Sequence, residues 1–117
     1  MISLRELKNQ IEQDPEHWKL SFMQFVDDFR HDKELSALRE PFDGPAGRWD
    51  ALLASTAETL CRESGLEPPS WLWRVPACKE PWFVSGLENL KAIALAESPL
   101  PFRLRKIFVL ENFLSRV

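Results

Sequence analysis

The stretch Pro81–Val117, PWFVSGLENLKAIALAESPLPFRLRKIFVLENFLSRV, decides the fold class of this chain, and the tripeptide Ile107-Phe108-Val109 is its pivot. Ser85 and Glu88 stand at capping-box spacing, with Leu87, Leu90, Ile93, Ala94 and Leu95 at helical intervals behind them. Ser98-Pro99 ends that helix and opens another, since proline is tolerated in a first helical turn; Phe102 to Lys106 continue it. Ile107–Val109 is β-branched and aromatic, which leaves both helical and extended conformations open. A sheet requires a second convincing alternating run, and the sequence contains none. The expectation is therefore an all-α protein, a compact irregular bundle of five to seven helices.

The upstream sequence reads the same way. Ser3 and Glu6 form a capping box ahead of Leu4, Leu7 and Ile11, predicting a short helix from about Leu4 to Glu12. Asp14-Pro15 restarts the helix, and Trp18, Phe22, Phe25, Val26 and Phe29 line one face of it. Asp32 is placed to cap a further turn carrying Leu35 and Leu38, which Pro41 stops. PFDGPAG (Pro41–Gly47) is a loop by its turn chemistry. Trp49, Leu52, Leu53, Thr56, Ala57, Leu60 and Cys61 mark the next helix, about residues 47 to 64, closed by Gly65 and Leu66. In Trp71–Phe83, WLWRVPACKEPWF, three Trp and two prolines predict one turn at Trp71–Arg74 and then an ordered, irregular connection. So much apolar bulk does not suit an unstructured linker.

The totals bound the class. A length of 117 residues suits a single helical domain spanning 1–117. Five Trp and eight Phe without any Tyr fill a core efficiently; one or two of the Trp are expected to stay partly exposed, since among the prolines at most two of Trp71, Trp73 and Trp82 pack inward easily. The formal net charge of −3 argues against a general nucleic-acid binder. Residues 1–58 hold seven Lys/Arg against twelve Asp/Glu (−5), and residues 59–117 hold eight against six (+2), so the surface is bipolar. Two cysteines make no disulfide framework, and Cys61 reads as a buried thiol. MISLRELKNQIEQ is not a secretory signal, and no apolar run approaches the ~18 residues of a membrane span. A cytoplasmic location is expected.

Catalytic and metal chemistry finds little support. Asp27 with His31, and Asp28 with Asp32, share helix faces, but three or four convergent ligands are needed and the other histidine, His17, lies fourteen residues before His31. Solvated charges near a helix end explain them more simply. Cys78 sits beside Lys79, which could lower its pKa, yet lacks a local His or second Cys. No nucleophile elbow, phosphate loop or HExxH motif is present. The reading is a non-enzymatic protein with neither cofactor nor metal.

The basic and aromatic residues of the second half are the functional candidates. Arg103, Arg105 and Lys106 cannot all point one way, so a fan of positive charge is expected; Arg74 and Arg116 extend it, and Trp82 and Phe83 supply apolar anchors. Guanidinium groups suit carboxylates or phosphates gripped in pairs. The competing reading is structural: the cations compensate helix-terminal carbonyls or pair with the acidic first half.

Pro81, Trp82, Phe83, Ala94, Glu97, Ser98, Pro99, Phe102, Arg103, Arg105, Ile107–Val109 and Phe113–Arg116 form the pattern PWF…ESP…FRxRxIFV…FLSR. This resembles a carboxy-terminal block of small, uncharacterised bacterial helical proteins, covering about a third of the chain closely. The resemblance implies a toxin–antitoxin-like pairing with a minimal nucleotidyltransferase-like protein, this chain being the member that binds and restrains. Longer relatives carry a helix-turn-helix domain; none is separable here, so operator binding is not carried over. The expected function is protein binding by occlusion of a partner, with nucleic-acid binding through the same basic cluster as the alternative.

Overall fold

The computed structural model describes residues 1–85, 90–110 and 112–115. Ser3 accepts from the Glu6 N–H (3.1 Å) while the Glu6 carboxylate accepts from the Ser3 N–H, and this reciprocal cap starts α1 (Leu4–Gln13). Leu4, Leu7 and Ile11 form its buried stripe. Asp14 does not cap the next helix. Its carboxylate meets the His17 ring instead, and a 3-10 turn at Pro15–His17 leads into α2 (Trp18–Asp32). Phe22, Phe25, Val26 and Phe29 are all buried, as their spacing requires. Lys33, at φ 52°, turns the chain into a 3-10 turn at Leu35–Leu38, where Asp32 provides no cap.

The central element is α3 (Arg48–Glu63), buried along almost its whole length from Asp50 to Cys61. A helix this apolar belongs in the middle of a core. Its polar side chains are satisfied locally: the Ser55 hydroxyl donates to Ala51 O (2.8 Å) and that of Thr56 to Leu52 O (2.9 Å). Gly65, at φ +70°, ends the helix in a Schellman motif: Leu66 N–H donates to Cys61 O and Gly65 N–H to Arg62 O. A 3-10 turn at Ser70–Arg74 follows. Then come β1 (Trp82–Phe83), α4 (Lys91–Glu97), α5 (Leu100–Leu104) and β2 (Ile107–Phe108).

The protein is mostly helical, but the all-α expectation needs correction. Ile107-Phe108 is extended and pairs in parallel with Trp82-Phe83, in the register Trp82↔Ile107 and Phe83↔Phe108. Parallel strands require a long crossover, and α4 and α5 supply it. Two-residue strands are too short to show an alternating pattern, so this pairing left no sequence signal. Lys106, at φ 61°, ends the helical conformation expected to run through it. The Ser85–Glu88 capping box extends beyond the described residues; α4 begins at Lys91, with Leu90 as its N-cap residue. Ser98 does not cap α5. It donates to Ala94 O and accepts from the Val109 N–H (2.8 Å), joining the end of α4 to the chain after β2.

One core cluster draws on residues from Leu4 to Leu114. Aromatic contacts knit its rim: Trp18 lies 5.4 Å from Phe22 and 5.2 Å from Trp49, and Phe113 packs 5.4 Å from Phe22. Each such ring pair contributes about 0.5–1.5 kcal/mol beyond its buried area. Buried Lys8 fastens the loop before α3. Its ammonium donates to Asp43 O (2.7 Å) and lies 2.9 Å from Asp50 Oδ1, an ion pair outside hydrogen-bond alignment. Among the described residues no helix is long and apolar enough to cross a membrane.

Candidate protein-interaction surface

The segment from Trp71 to Trp82 runs along three adjoining depressions. A cleft of about 790 Å³ lies between the first turn of α3 and Pro76–Trp82, and includes Arg48, Cys78, Lys79 and Glu80 in its wall. A depression of about 270 Å³ is lined by Phe42, Trp71 and Arg74 and shares Ala46 and Pro76 with the cleft. A third, of about 210 Å³, is lined by Arg62, Trp73, Leu104 and Arg105, and shares Ala77 with the cleft. The face is thus continuous.

Four of the five tryptophans are anchored. Trp18 and Trp49 pack on each other, Trp71 donates its indole N–H to Leu38 O (2.7 Å) and meets Phe42 edge-on, and Trp82 stands edge-on to Trp49 at 5.3 Å. Trp73 is different. It is 71% exposed, and among the described residues no aromatic ring packs against it. Leu104, 67% exposed, lines the same depression. The sequence allows at most two of Trp71, Trp73 and Trp82 inside without distinguishing among them, and Leu104 carries no separate signal in it. A 3-10 turn alternates its faces on a three-residue period, so Leu72 is buried while Trp73 faces water.

The basic cluster does not stand outward as a fan. Arg105 is only 7% exposed and points into the protein. Its guanidinium donates to Glu58 Oε1 (2.5 Å), Leu72 O (2.7 Å), Ser55 Oγ (3.3 Å) and Val75 O (3.3 Å). This corrects its assignment to an open binding fan. The buried Glu58 carboxylate on α3 requires a cation, and Arg105 supplies it. Arg103 is exposed, but its guanidinium donates to Ser98 O (2.6 Å) and Ala96 O (2.8 Å), carbonyls at the end of α4. Lys106 is exposed, with no carboxylate within ion-pair distance among the described residues. Arg74 is exposed beside Trp71, and Arg116 lies outside the described residues.

Trp82 and Phe83 are half-buried, held by the strand pairing: Trp82 N–H donates to Lys106 O (2.9 Å) and Phe83 stacks on Phe108 at 5.1 Å. Lys91 lies over the Phe83 ring, 5.1 Å from its centroid. The pairing brings Trp82 and Lys106 together, which their separation in sequence did not suggest. Arg48, another residue not anticipated, sits 4.5 Å from the Trp82 centroid and 5.7 Å from that of Trp49. It opens α3, whose N-cap is Gly47, a residue without a capping side chain.

The Cys78 thiol pKa is raised, chiefly by burial, and Arg48 and Lys106 partly oppose the shift. The activation by Lys79 considered from sequence is therefore not what governs this thiol. Among the described residues no three His, Cys, Asp or Glu side chains converge as metal ligands. Asp28 accepts from Gln24 (2.9 Å), and His31 contacts Asp32 (2.7 Å) at the exposed end of α2.

The chain matches no family model, and neither a curated protein nor a solved structure is significantly similar to it.

Proposed function

We propose that this protein is a protein-binding module without enzymatic activity, an antitoxin-like or accessory subunit that restrains a cytoplasmic partner by occluding it. The observation that carries the reading is Trp73, held in water by a short turn beside exposed Leu104, with Arg62 on the same depression. An exposed tryptophan flanked by a leucine and an arginine has the composition of an interface hot spot. The resemblance of the carboxy-terminal block supports a nucleotidyltransferase-like protein as the first partner to try.

The assay is capture of partners from the native host, with the product of the neighbouring gene as the first candidate. Trp73→Ser touches no core contact, so the fold should survive while capture weakens at least ~30-fold, the scale of a hot-spot residue. Capture unaffected by Trp73→Ser, with Leu104→Ser equally silent, would remove the reading. Nucleic-acid binding remains the alternative because Arg48, Arg74 and Lys79 line this face without a carboxylate partner among the described residues. Salt separates the two. A phosphate-driven complex making several contacts loses about tenfold or more in affinity between low and moderate salt, whereas an aromatic-anchored protein complex is far less sensitive.

A further inference from the structure

The large cleft beside Trp82 has a chemistry distinct from that of the Trp73 depression. We propose that it binds an extended acidic peptide segment, a run of carboxylates belonging to the partner, gripped by Arg48, Lys79 and Lys106. The proposal rests on the protein-binding reading above and gives that partner a chemical character.

Three observations support it. The cleft, about 790 Å³, falls within the roughly 300–1,000 Å³ typical of ligand sites. It is thus far larger than a single bound ion needs. The two cations in its wall, Arg48 and Lys79, are also uncommitted: among the described residues no carboxylate is within ion-pair distance of either, although Glu80 shares the wall. Lys106 does not line the cleft but adjoins it, its carbonyl accepting from the Trp82 N–H and its charge acting on the Cys78 thiol, and it too has no carboxylate partner among the described residues. By contrast Arg5, Lys8, Arg30 and Arg105 each hold an internal carboxylate. Arg48 is moreover pre-positioned. Its guanidinium lies against Trp82, which leaves the N–H edges of the fork to receive a carboxylate at a reduced entropic cost.

The arrangement favours carboxylates over a nucleic-acid strand. Single-strand binders stack bases on open rings, but the Trp82 ring is already engaged by Arg48 and by Trp49. Glu80 and the overall charge of −3 work against a long phosphate backbone more than against a short carboxylate run. Ala77 lines both this cleft and the Trp73 depression. One partner segment can therefore place acidic residues in the cleft and an apolar residue against Trp73.

The test is a titration of the whole chain with an end-capped tetraglutamate peptide, followed by the five indole N–H resonances in nitrogen-15 correlation spectra. The Trp82 resonance should move saturably at submillimolar to millimolar peptide. That of Trp71, which is hydrogen-bonded to Leu38 O and does not line the cleft, should stay put. Lys79→Ala combined with Lys106→Gly should weaken the response at least tenfold; the glycine accepts the positive φ of position 106, so the fold is preserved. No Trp82 shift at up to about 5 mM peptide, or an equal shift with tetraserine, overturns the proposal. A shift produced by a single-stranded oligonucleotide but not by tetraglutamate overturns it in favour of phosphates. Partner capture is scored separately through Trp73→Ser: its loss with tetraglutamate still inert leaves the protein-binding reading and discards only the acidic segment.

Discussion

Replacing Arg105 by methionine is the sharpest perturbation of this fold, because this arginine joins three parts of the chain at one buried point. Its guanidinium reaches Glu58 and Ser55 on α3, the Leu72 and Val75 carbonyls on either side of the exposed Trp73, and the Pro101 carbonyl on α5. Methionine keeps much of the stem volume but leaves Glu58, 8% exposed, without a counter-ion. Removing one member of a buried pair costs about 3–5 kcal/mol. A chain of 117 residues has an unfolding entropy near ~0.25 kcal/mol/K, so the melting temperature should fall by roughly 12–20 °C. That is a large share of the ~5–15 kcal/mol that holds such a domain together. Urea denaturation followed by tryptophan fluorescence and near-ultraviolet circular dichroism measures it. Adding Glu58→Met should restore at least ~2 kcal/mol, since the isolated carboxylate is then gone; full restoration is not expected because the Leu72 and Val75 carbonyls still lack their donor. Arg103→Met removes hydrogen bonds to one part-buried carbonyl, Ser98 O, and one exposed carbonyl, Ala96 O, but strands no buried charge, so it should cost about 1–2 kcal/mol, less than Arg105→Met. An Arg105→Met protein as stable as the parent, or one that loses less than Arg103→Met, would refute the division of the basic cluster into a buried structural arginine and an exposed capping one.

Phe22→Ala empties a site that Trp18, Phe113 and α2 all share, and should cost ~3–5 kcal/mol in the same denaturation assay; an unchanged midpoint contradicts its place in the core. Burial pushes the Cys61 thiol up to about 11, so at pH 8 it should resist alkylation until the protein unfolds, and rapid labelling of the native protein would show the helix packing to be wrong. The His31 imidazole pKa is raised above 6.5 by its hydrogen bond to Asp32, with the Asp32 charge adding to it. Any stability this contact provides is fully present below the ordinary imidazole pKa and is lost as pH rises through the folded value. A proton-resonance titration should therefore find a midpoint above 6.5 that moves back down in Asp32→Asn; identical midpoints in the two proteins would discard the contact.

Much of this protein was legible from residue order alone. The capping box at Ser3 and Glu6, the Phe22–Phe25–Val26–Phe29 face, the Gly65-Leu66 stop and the prolines around the Trp-rich segment are local signals. Their energetics lie within a few residues of chain, so they needed no knowledge of the rest of the fold. Cys61 as a buried thiol followed from the same periodicity. What remained hidden depended on partners distant in sequence. Ile107-Phe108 becomes extended because Trp82-Phe83 lies alongside, and two residues on each side are too few to write a pattern. Arg105 turns inward because Glu58, forty-seven positions away, is buried on the central helix and requires a cation. Trp73 is the tryptophan left in water because Leu72 and Trp71 take the inward positions of a tight turn, and Arg48 enters the candidate surface only because α3 begins beside Trp82. Local sequence specified which segments coil and which faces are oily. Tertiary packing alone chose which charges are neutralised internally and which remain to meet a partner, because the burial that sets the energy of a charge belongs to the assembled fold and not to any one segment.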